Sequence, residues 1–502
     1  MPSLAQHSSS TPPSWESPTG ARTQVYYEPL PDTDDADLLA EDFFLNLGKH
    51  RAYRFGFSHF TSFNPKQDGR WSVLDNGDRI WRMGLHSKGA QGIGVILENV
   101  YIPPRGAVYV YSEDKTEVFG PITQDDNRPT ALLQLPPMQG ERLVLEYFEP
   151  YSERGEGQFT VGRVIHNYRN LEQPAMADSL QSNCLLDAKC VWGQYRSAAK
   201  SVVRITTSEG SKSANGVLIN TSGNLEQPYV LTSDAVLEGR ASTLLFEFNR
   251  YSETCGEEEE RALTQVITGA DIVVRNEAAG LVLLSLHESP SHEWNLYYSG
   301  WNRDASADSE GAVLFHPGPD GLKVAELDQW DLTSTDGTPA IRVDRYLDGA
   351  TSAGALGAPL FNSNGQVIGI FTEGDGNCQD FVFDRFTPIS SAWDELDDFL
   401  NPAGQDLQAI GGDDVDKRPR DNSIVKDNLA LFPNPASGQV FVFNGNDQRL
   451  SRVRFYNGAG QLVKEVTPED QAIPISDLSP GAYLVEIRLN AAVSVMEKLI
   501  VH

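Results

Sequence analysis

The stretch Pro228-Tyr229-Val230-Leu231-Thr232-Ser233-Asp234-Ala235-Val236 decides the fold class of the middle of this chain. Its β-branched and aromatic run begins at a proline and ends at a Ser-Asp pair, which predicts a short strand. Runs of the same kind lie on both sides of it: Val202 to Thr206, Gly216 to Ile219, Leu244 to Phe248, Leu281 to Leu286 and Val367 to Phe371. With one helix around Ala392 to Leu400, residues 184–402 are predicted to form a mainly β domain.

The segments on either side are also mainly β by pattern. Residues 25–168 contain short apolar or alternating runs separated by turn residues such as Asn76-Gly77, which predicts a β-sandwich, with one helix near Ala36 to Leu47. Residues 1–24, rich in Ser, Pro and Thr, are predicted to be a disordered tail, and residues 411–427 a linker. Residues 428–502 read as a small antiparallel sandwich with Pro and Gly at its turns.

Charge and hydropathy exclude two classes of partner. The net charge of −30 arises from 70 acidic against 40 basic residues, and such a surface repels nucleic acid and anionic membranes. No apolar run reaches the roughly 18 residues of a membrane helix, so we expect no membrane span.

The first residues, Met1 to Gly20, lack the basic start and apolar core of a signal peptide. If the protein is exported, its signal peptide has therefore been removed or is absent from this sequence.

The four cysteines are Cys184, Cys190, Cys255 and Cys378. Their even number fits two disulfides formed in an oxidising compartment, with three connectivities open. Buried free thiols are the alternative. No HExxH stretch occurs, and His287 with His292 is a poor helical pair of ligands, so we predict neither a metal nor a cofactor.

The last block closely resembles the C-terminal sorting domain of type IX secretion cargo. The resemblance is carried by Leu431-Phe432-Pro433-Asn434-Pro435, by Val453-Arg454-Phe455-Tyr456-Asn457-Gly458, by Leu478-Ser479-Pro480-Gly481-Ala482-Tyr483 and by the final Lys498-Leu499-Ile500-Val501. It implies that residues 428–502 engage the type IX secretion machinery and that the protein is extracellular or held at the outer-membrane surface of a Bacteroidetes-type bacterium. Whether the domain is then removed stays open.

The middle segment resembles the trypsin-like lysyl endopeptidase family, whose fold is a double β-barrel. The stretches that carry it include Asn183-Cys184-Leu185-Leu186-Asp187, Gly216-Val217-Leu218-Ile219-Asn220, Tyr298-Ser299-Gly300-Trp301 and Phe315-His316-Pro317. Residues 25–168 also look like the domain that precedes such proteases. The resemblance implies disulfides Cys184–Cys378 and Cys190–Cys255. It also implies that a third bridge of the family is lost, since its positions hold Ala214 and Val236.

The catalytic groups that the resemblance implies are missing. A serine protease needs a nucleophilic serine, a histidine base and an aspartate that orients the base. The family's motifs place Ala235 at the base, Gly280 at the aspartate and Ala358 at the nucleophile. We expect backbone near Gly357 and Ala358 to keep the shape of an oxyanion loop. His316 matches a structural His-Pro of the family, and Asp380 or Asp384 marks the family's lysine-specificity carboxylate or is a plain surface acid.

The function that these residues predict is a secreted pseudoprotease that binds a protein, peptide or glycan. The alternative is an active extracellular hydrolase with relocated groups, for which Asp234 and Ser352 are the nearest candidates. A purely structural surface or matrix protein is the third interpretation. The sequence names neither the ligand nor the oligomeric state.

Overall fold

The computed structural model describes 22 segments of the chain, and the statements below concern these residues. They are 11–16, 24–45, 52–128, 130–170, 184–191, 193–207, 209–223, 227–237, 239–251, 255, 265–306, 309–318, 321–335, 337–374, 382–402, 404, 406–414, 429–444, 452–457, 462–466, 472–488 and 494–501. The chain divides into two compact units. The larger comprises Met1–Asn220, Pro228–Leu396 and Leu407–Asp416, and the smaller comprises Thr221–Gln227, Asp397–Asp406 and Lys417–His502.

The N-terminal part of the larger unit has two helices, α1 (Pro13–Glu16) and α2 (Asp35–Leu45), and eleven described strands. The strands are β1 (Tyr27–Pro29), β2 (Tyr53–Arg54), β3 (Gly56–Phe63), β4 (Arg70–Val73), β5 (Arg79–His86), β6 (Gly92–Tyr101), β7 (Ala107–Ser112), β8 (Val118–Ile122), β9 (Leu132–Gln139), β10 (Arg142–Glu149) and β11 (Gln158–Asn167). Short 3₁₀ turns cover Gln124–Asp126 and Tyr151–Glu153.

All of these strands except β2 form a two-layer sandwich. One sheet has the order β1-β5-β10-β7-β8 with β4 on β5, and the other has the order β3-β11-β6-β9. The inward side chains of both sheets share one core, which contains Leu145 of β10, Val95 of β6 and Trp81 of β5. Alternating apolar residues on each strand produce this arrangement, because every second side chain faces the opposing sheet.

Two N-terminal segments differ from the predictions. The tail is ordered at residues 11–16, because Ser14 donates its N–H and its hydroxyl to the buried Glu146 carboxylate at 2.8 and 2.5 Å. The rest of residues 1–23 lies outside the described residues. The run from Tyr53 does not begin in the sandwich: Tyr53–Arg54 instead pairs with a strand of the middle region, at Lys212 and Ser213.

The middle region contains α3 (Ala188–Val191), α4 (Arg196–Ala199), α5 (Trp393–Leu400) and strands β12 to β30. The strands are β12 (Leu186–Asp187), β13 (Val202–Thr206), β14 (Lys212–Leu218), β15 (Tyr229–Ser233), β16 (Leu245–Glu247), β17 (Val266–Thr268), β18 (Ala270–Asn276), β19 (Leu281–Leu286), β20 (Tyr297–Tyr298), β21 (Trp301–Asn302), β22 (Gly311–Phe315), β23 (Lys323–Leu327), β24 (Asp331–Thr335), β25 (Thr338–Val343), β26 (Pro359–Asn362), β27 (Val367–Gly374), β28 (Asp384–Pro388), β29 (Ala409–Ile410) and β30 (Asp413–Asp414). The 3₁₀ turns are Gly193–Tyr195, Asp234–Val236, Ala241–Thr243, His292–Trp294 and Ile389–Ala392.

Two antiparallel sheets organise this region. The first has the order β17-β16-β13-β14-β15-β19-β18, with β2 added to β14. The second has the order β12-β23-β22-β26-β27-β28-β25-β24, with β21 and β29 attached. Each sheet encloses its own buried cluster, one around Phe246 and Val282 and one around Phe371 and Phe386.

The predicted linker is partly built into this region. Asp413–Asp414 pairs with Tyr297–Tyr298, and the backbone oxygen of Gly411 accepts a hydrogen bond of 3.0 Å from Asn220 Nδ2. The linker prediction is therefore wrong for residues 411–414, because their backbone groups find strand and side-chain partners. Residues 415–427 lie outside the described residues.

The smaller unit contains a seven-stranded sheet. Its strands are β31 (Leu429–Ser437), β32 (Gln439–Asn444), β33 (Arg452–Tyr456), β34 (Leu462–Val466), β35 (Ala472–Pro474), β36 (Gly481–Arg488) and β37 (Ser494–Val501), in the order β34-β33-β36-β37-β31-β32-β35. Val440, Phe455, Val485 and Leu499 lie in its buried core. The mainly β fold class predicted from the sequence is confirmed in both units.

Candidate functional site

Ala235 and Gly280 lie together at the ends of two paired strands. β15 pairs with β19 so that Ser233 stands opposite Leu281. The chain then turns through Asp234–Val236, and the N–H of Asp234 donates to the backbone oxygen of Gly280 at 2.9 Å. Ala235 is exposed in this turn. The structure thus brings together the predicted positions of base and aspartate, neither of which carries a group that binds a proton.

Leu356 and Ala358, in the loop before β26, lie in different buried clusters. Leu356 is 3% exposed and belongs to the same buried cluster as Ala214 and Val236. Ala358 is fully buried in the other cluster, with Ala355 and Phe371. A side chain at position 358 therefore points into the core of the second sheet. Because a nucleophile must lie within hydrogen-bond reach of its base, position 356 suits that role better.

The backbone of this loop is tied to the first sheet through Asn215. The N–H of Asn215 donates to Leu356 O at 2.8 Å, and its Nδ2 donates to Gly354 O at 2.7 Å. A Cβ added to Gly357, which has φ +77°, would lie 2.2 Å from Asn215 O and 2.3 Å from Thr232 Oγ1. Close approach and backbone conformation together require glycine at position 357.

Two loop amides that were expected to shape an oxyanion site are already engaged. The N–H of Gly357 donates to Phe371 O at 3.0 Å, and that of Ala358 donates to Ala355 O at 2.9 Å. An oxyanion site needs donors directed at the position of the developing charge. In this loop the two amides stabilise the start of β26 instead.

The two candidates for relocated groups have other contacts. Asp234 Oδ1 lies 2.5 Å from Arg275 Nε, and this ion pair raises the pKa of the Arg275 guanidinium, chiefly through its hydrogen bond to Asp234. Ser352 is 3% exposed, and its Oγ lies 3.4 Å from the backbone oxygen of Ala353. The described contacts pair neither residue with a histidine.

The three histidines of this region lie at different places. His287 follows the last residue of β19, whose first residue adjoins Ser233, so the six-residue strand separates it from Ala235 by about 20 Å. Burial lowers the pKa of His287, and its Nε2 lies 3.4 Å from Asp271 Oδ1. His292 lies in a 3₁₀ turn. His316 is buried beside the site, where its N–H donates to Asn215 Oδ1 at 2.7 Å.

Asp384 is not a surface acid. Its side chain is fully buried, and its Oδ2 accepts hydrogen bonds from Tyr346 at 2.6 Å and from the Thr351 hydroxyl. Burial, followed by the neighbouring carboxylate, raises the pKa of the Tyr346 hydroxyl well above its usual value. A Cβ added to Gly374 would lie 2.0 Å from Asp384 Oδ1, so Gly374 makes room for this carboxylate. Asp380 lies outside the described residues.

The structure joins Cys190 to Cys255, with the two Cα atoms 4.9 Å apart. This is the pairing that the family resemblance implies. Cys184 is also disulfide-bonded, whereas Cys378 lies outside the described residues. The Cys184–Cys378 bridge therefore stays a prediction. Ala214 and Val236, where the family resemblance implies a third bridge, are both buried in one apolar cluster.

The sequence analysis missed a Ser-His-Asp contact in the N-terminal sandwich. Ser87 Oγ lies 2.7 Å from His166 Nδ1, and His166 Nε2 lies 2.8 Å from Asp35 Oδ1. Ser87 is 1% exposed and His166 is fully buried. No sequence motif signals this group, because 79 residues separate Ser87 from His166 and 131 separate Asp35 from it.

The described part of the chain holds no group of three or more His, Cys, Asp or Glu side chains that could bind a metal ion. In the same residues, no helix combines the length and the apolar character needed to span a membrane.

Comparisons with known proteins agree with the two resemblances. Residues 179–385 match the family described as lysyl endopeptidase, C-terminal domain, and residues 430–502 match the secretion system C-terminal sorting domain. Among solved structures, the Rv3671c protease of M. tuberculosis in its inactive form is 16% identical. That match covers 42% of this chain and 95% of that one, with a TM-score of 0.29. A mutant of the same protease is 15% identical over 40% of this chain and 89% of that one, with a TM-score of 0.28.

A sorting domain of this kind indicates secretion to the cell surface or to the outside. This chain therefore joins a segment similar to the C-terminal domain of lysyl endopeptidase to a segment that matches the secretion sorting domain.

Proposed function

We propose that this protein is a secreted, catalytically inactive homologue of a serine protease that acts by binding rather than by cleaving. The observation that carries the proposal is the meeting of Ala235 and Gly280 at the ends of β15 and β19, with Leu356 in the buried cluster that also contains Val236. Neither alanine nor glycine can exchange a proton, and a leucine side chain cannot attack a carbonyl group. Three separate segments of the chain supply these residues, so a single local change does not explain the loss.

The burial of Leu356 in an apolar cluster favours permanent inactivation. Leu356 shares a buried apolar cluster with Ala214 and Val236, where the family resemblance implies a disulfide. Position 356 thus contributes to the core of the first sheet. We infer that the nucleophile position of the family corresponds to Leu356, two residues before the predicted Ala358, since only Leu356 shares a cluster with residues beside Ala235.

The buried acid of the second sheet supports the same conclusion. Asp384, a candidate for the lysine-specificity carboxylate, already accepts two hydroxyl groups at Oδ2. A lysine ammonium group would have to compete with these donors, so we do not expect selective capture of lysine side chains.

The partners proposed from the sequence stay proposals. Residues 428–502 are proposed to engage the type IX secretion machinery, which delivers the protein to the cell surface or the medium. There we propose that it binds an extracellular protein, peptide or glycan.

One observation favours an active hydrolase as the second candidate. The Ser87–His166–Asp35 contact has the composition of a catalytic triad, although serine lies on Nδ1 and aspartate on Nε2. Burial weighs against it, because a nucleophile must reach a substrate carbonyl and Ser87 is 1% exposed. These three side chains also fasten α2 to β11 and to the turn after β5, which is a structural role.

Labelling of the full-length protein with a fluorophosphonate probe tests both candidates, with trypsin as positive control. We expect no labelling, and no cleavage of labelled casein or of a panel of Lys-containing peptides. Labelling that heat denaturation abolishes would contradict the proposal. Ser87→Ala and Ser352→Ala then identify the labelled residue, since loss in the first variant supports the sandwich site and loss in the second supports a displaced nucleophile.

A further inference from the structure

The edge of β14 beside Leu356 is occupied by a segment from the N-terminal region. Residues 53–56, here called the strap, run antiparallel to β14, with Tyr53 opposite Ser213 and Arg54 opposite Lys212. The amides of Phe55 and Gly56 both donate to Ser211 O, at 2.9 and 3.1 Å. The strap is therefore bound through its backbone, as an added strand is.

This edge leads directly into the candidate site. The opposite edge of β14 pairs with β13 from Ser213 to Val217. On the strap's edge, Asn215 donates to Leu356 O, and Val217 and Leu218 pair with β15. The strap, the loop with Leu356 and β15 thus follow one another along the same edge of β14. A peptide strand added to β14 at residues 211–213 would therefore take the strap's place.

Tyr53 fixes the strap against the loop. Its side chain is 8% exposed, and a Cβ added to Gly318 would lie 2.6 Å from its ring. A Cβ added to Gly354, in the loop that contains Leu356, would lie 3.3 Å from Tyr53 Cβ. Gly318 thus makes room for the ring and Gly354 for the Cβ of Tyr53, and the neighbouring Phe55 is fully buried.

A buried carboxylate holds the strap from the sandwich side. Asp42 of α2 is 3% exposed, and its Oδ1 lies 3.1 Å from Arg54 Nε. Its Oδ2 accepts from Tyr168 Oη at 2.7 Å and from Arg169 Nη2 at 3.0 Å. The amides of Tyr168 and Arg169 in turn donate to Phe55 O at 3.1 and 3.3 Å. Asp42 therefore contacts the strap itself, at Arg54, and also residues 168–169, whose amides bind the strap.

We propose that β14 next to Leu356 is a binding edge for an extended peptide with aromatic side chains, which this protein fills in cis with residues 53–56. Asp42, here called the latch, holds residues 53–56 on β14. A peptide from outside binds at this edge only when the strap leaves. The proposal goes beyond the absence of catalysis, because it assigns the ligand class of the edge and the segment that controls access to it.

The test uses the full-length chain and a fluorescent peptide with the sequence of residues 52–57. Asp42→Asn removes the charge of the latch, and Asp37→Asn is the matched control, since Asp37 is an exposed aspartate of the same helix. Charged hydrogen bonds are strong enough that we expect amide exchange of the strap to rise about tenfold or more in Asp42→Asn. The control should exchange like the wild type. In fluorescence anisotropy, only Asp42→Asn should bind the peptide, and a peptide with both Tyr53 and Phe55 replaced by alanine should not bind.

Two results would overturn the proposal. If the amides of the strap exchange at the wild-type rate in Asp42→Asn, Asp42 does not hold the strap in place. If they exchange faster but the peptide does not bind, β14 is not a binding edge for peptides. If Asp42→Asn fails to fold, Tyr53→Ala replaces it in the test. Loss of the Tyr53 ring leaves the space beside Gly318 open, so this variant must also bind the peptide. Cleavage of the peptide would instead contradict the absence of catalysis, so failures of the two proposals are distinguishable.

Discussion

Restoration of the three catalytic side chains should not restore a protease. The perturbation is Ala235→His, Gly280→Asp and Leu356→Ser in one chain. Leu356 is 3% exposed, and truncation of such a leucine costs about 2–5 kcal/mol, to which burial of the new hydroxyl adds. Gly280 has φ +69°, where a residue with a Cβ costs about 1–2 kcal/mol. Ala235 is exposed and should accept histidine without loss.

The summed cost of about 3–7 kcal/mol is large against the total stability of about 5–15 kcal/mol that proteins have. Activity should stay low because Ala214 and Val236 cannot form the disulfide that the family resemblance implies beside position 235. A histidine there would not be held in place, and misplacement by about 1 Å costs about a hundredfold in rate. The assays are urea denaturation and turnover of Lys-containing peptides. Leu356→Met is the stability control, since a swap that conserves volume costs less than about 1.5 kcal/mol.

A second triple variant with Ala358→Ser in place of Leu356→Ser tests the register. We expect it to lose less stability and to be equally inactive, because position 358 faces the second core. Rapid turnover by the Leu356→Ser variant, blocked by a serine-protease inhibitor, would show that the site is intact apart from its side chains and would refute the reasoning.

Three further predictions concern stability. Replacement of both Cys190 and Cys255 by alanine should cost about 4 kcal/mol, because the bridge closes a loop of 65 residues; an unchanged urea midpoint would contradict this. Gly357→Ala should lower the melting temperature far more than Gly365→Ala, since both have positive φ but only Gly357 would place a Cβ against backbone; equal shifts would rule out the close contact. Burial lowers the pKa of His287 below its unfolded value of about 6.5, so the unfolded chain binds more protons and stability falls as pH drops through that value. His287→Gln should reduce the loss of melting temperature between pH 7.5 and 5.5, and an identical loss in both proteins would exclude His287 as a source.

Local patterns predicted the strands well. Val202–Thr206 and Leu281–Leu286 have the predicted bounds, because an apolar run between turn residues has few alternatives to a buried strand. The helix predicted near Ala36 to Leu47 is present as Asp35–Leu45. Predictions of disorder and of a linker were wrong at residues 11–16 and 411–414, where order depends on partners distant in the chain.

The candidate site was predicted only in part. Side-chain identity can be read directly, so Ala235 and Gly280 are visible as residues without catalytic chemistry, and the strand ends that carry them do meet. The sequence alone did not predict whether Leu356 or Ala358 stands at the nucleophile position. The direction of a loop side chain depends on where the following strand begins and on which core the side chain meets.

The sequence by itself determined a mainly β chain, a central segment that resembles the lysyl endopeptidase family and a sorting domain at the end. These follow from local periodicity and from residue identity. Only the tertiary structure decided that Leu356 packs in one cluster with Ala214 and Val236, that Asp384 is buried, and that residues 53–56 lie on β14. The physical reason is that each of these depends on contacts between segments far apart in the chain, which packing selects and which leave no periodic signal in either segment.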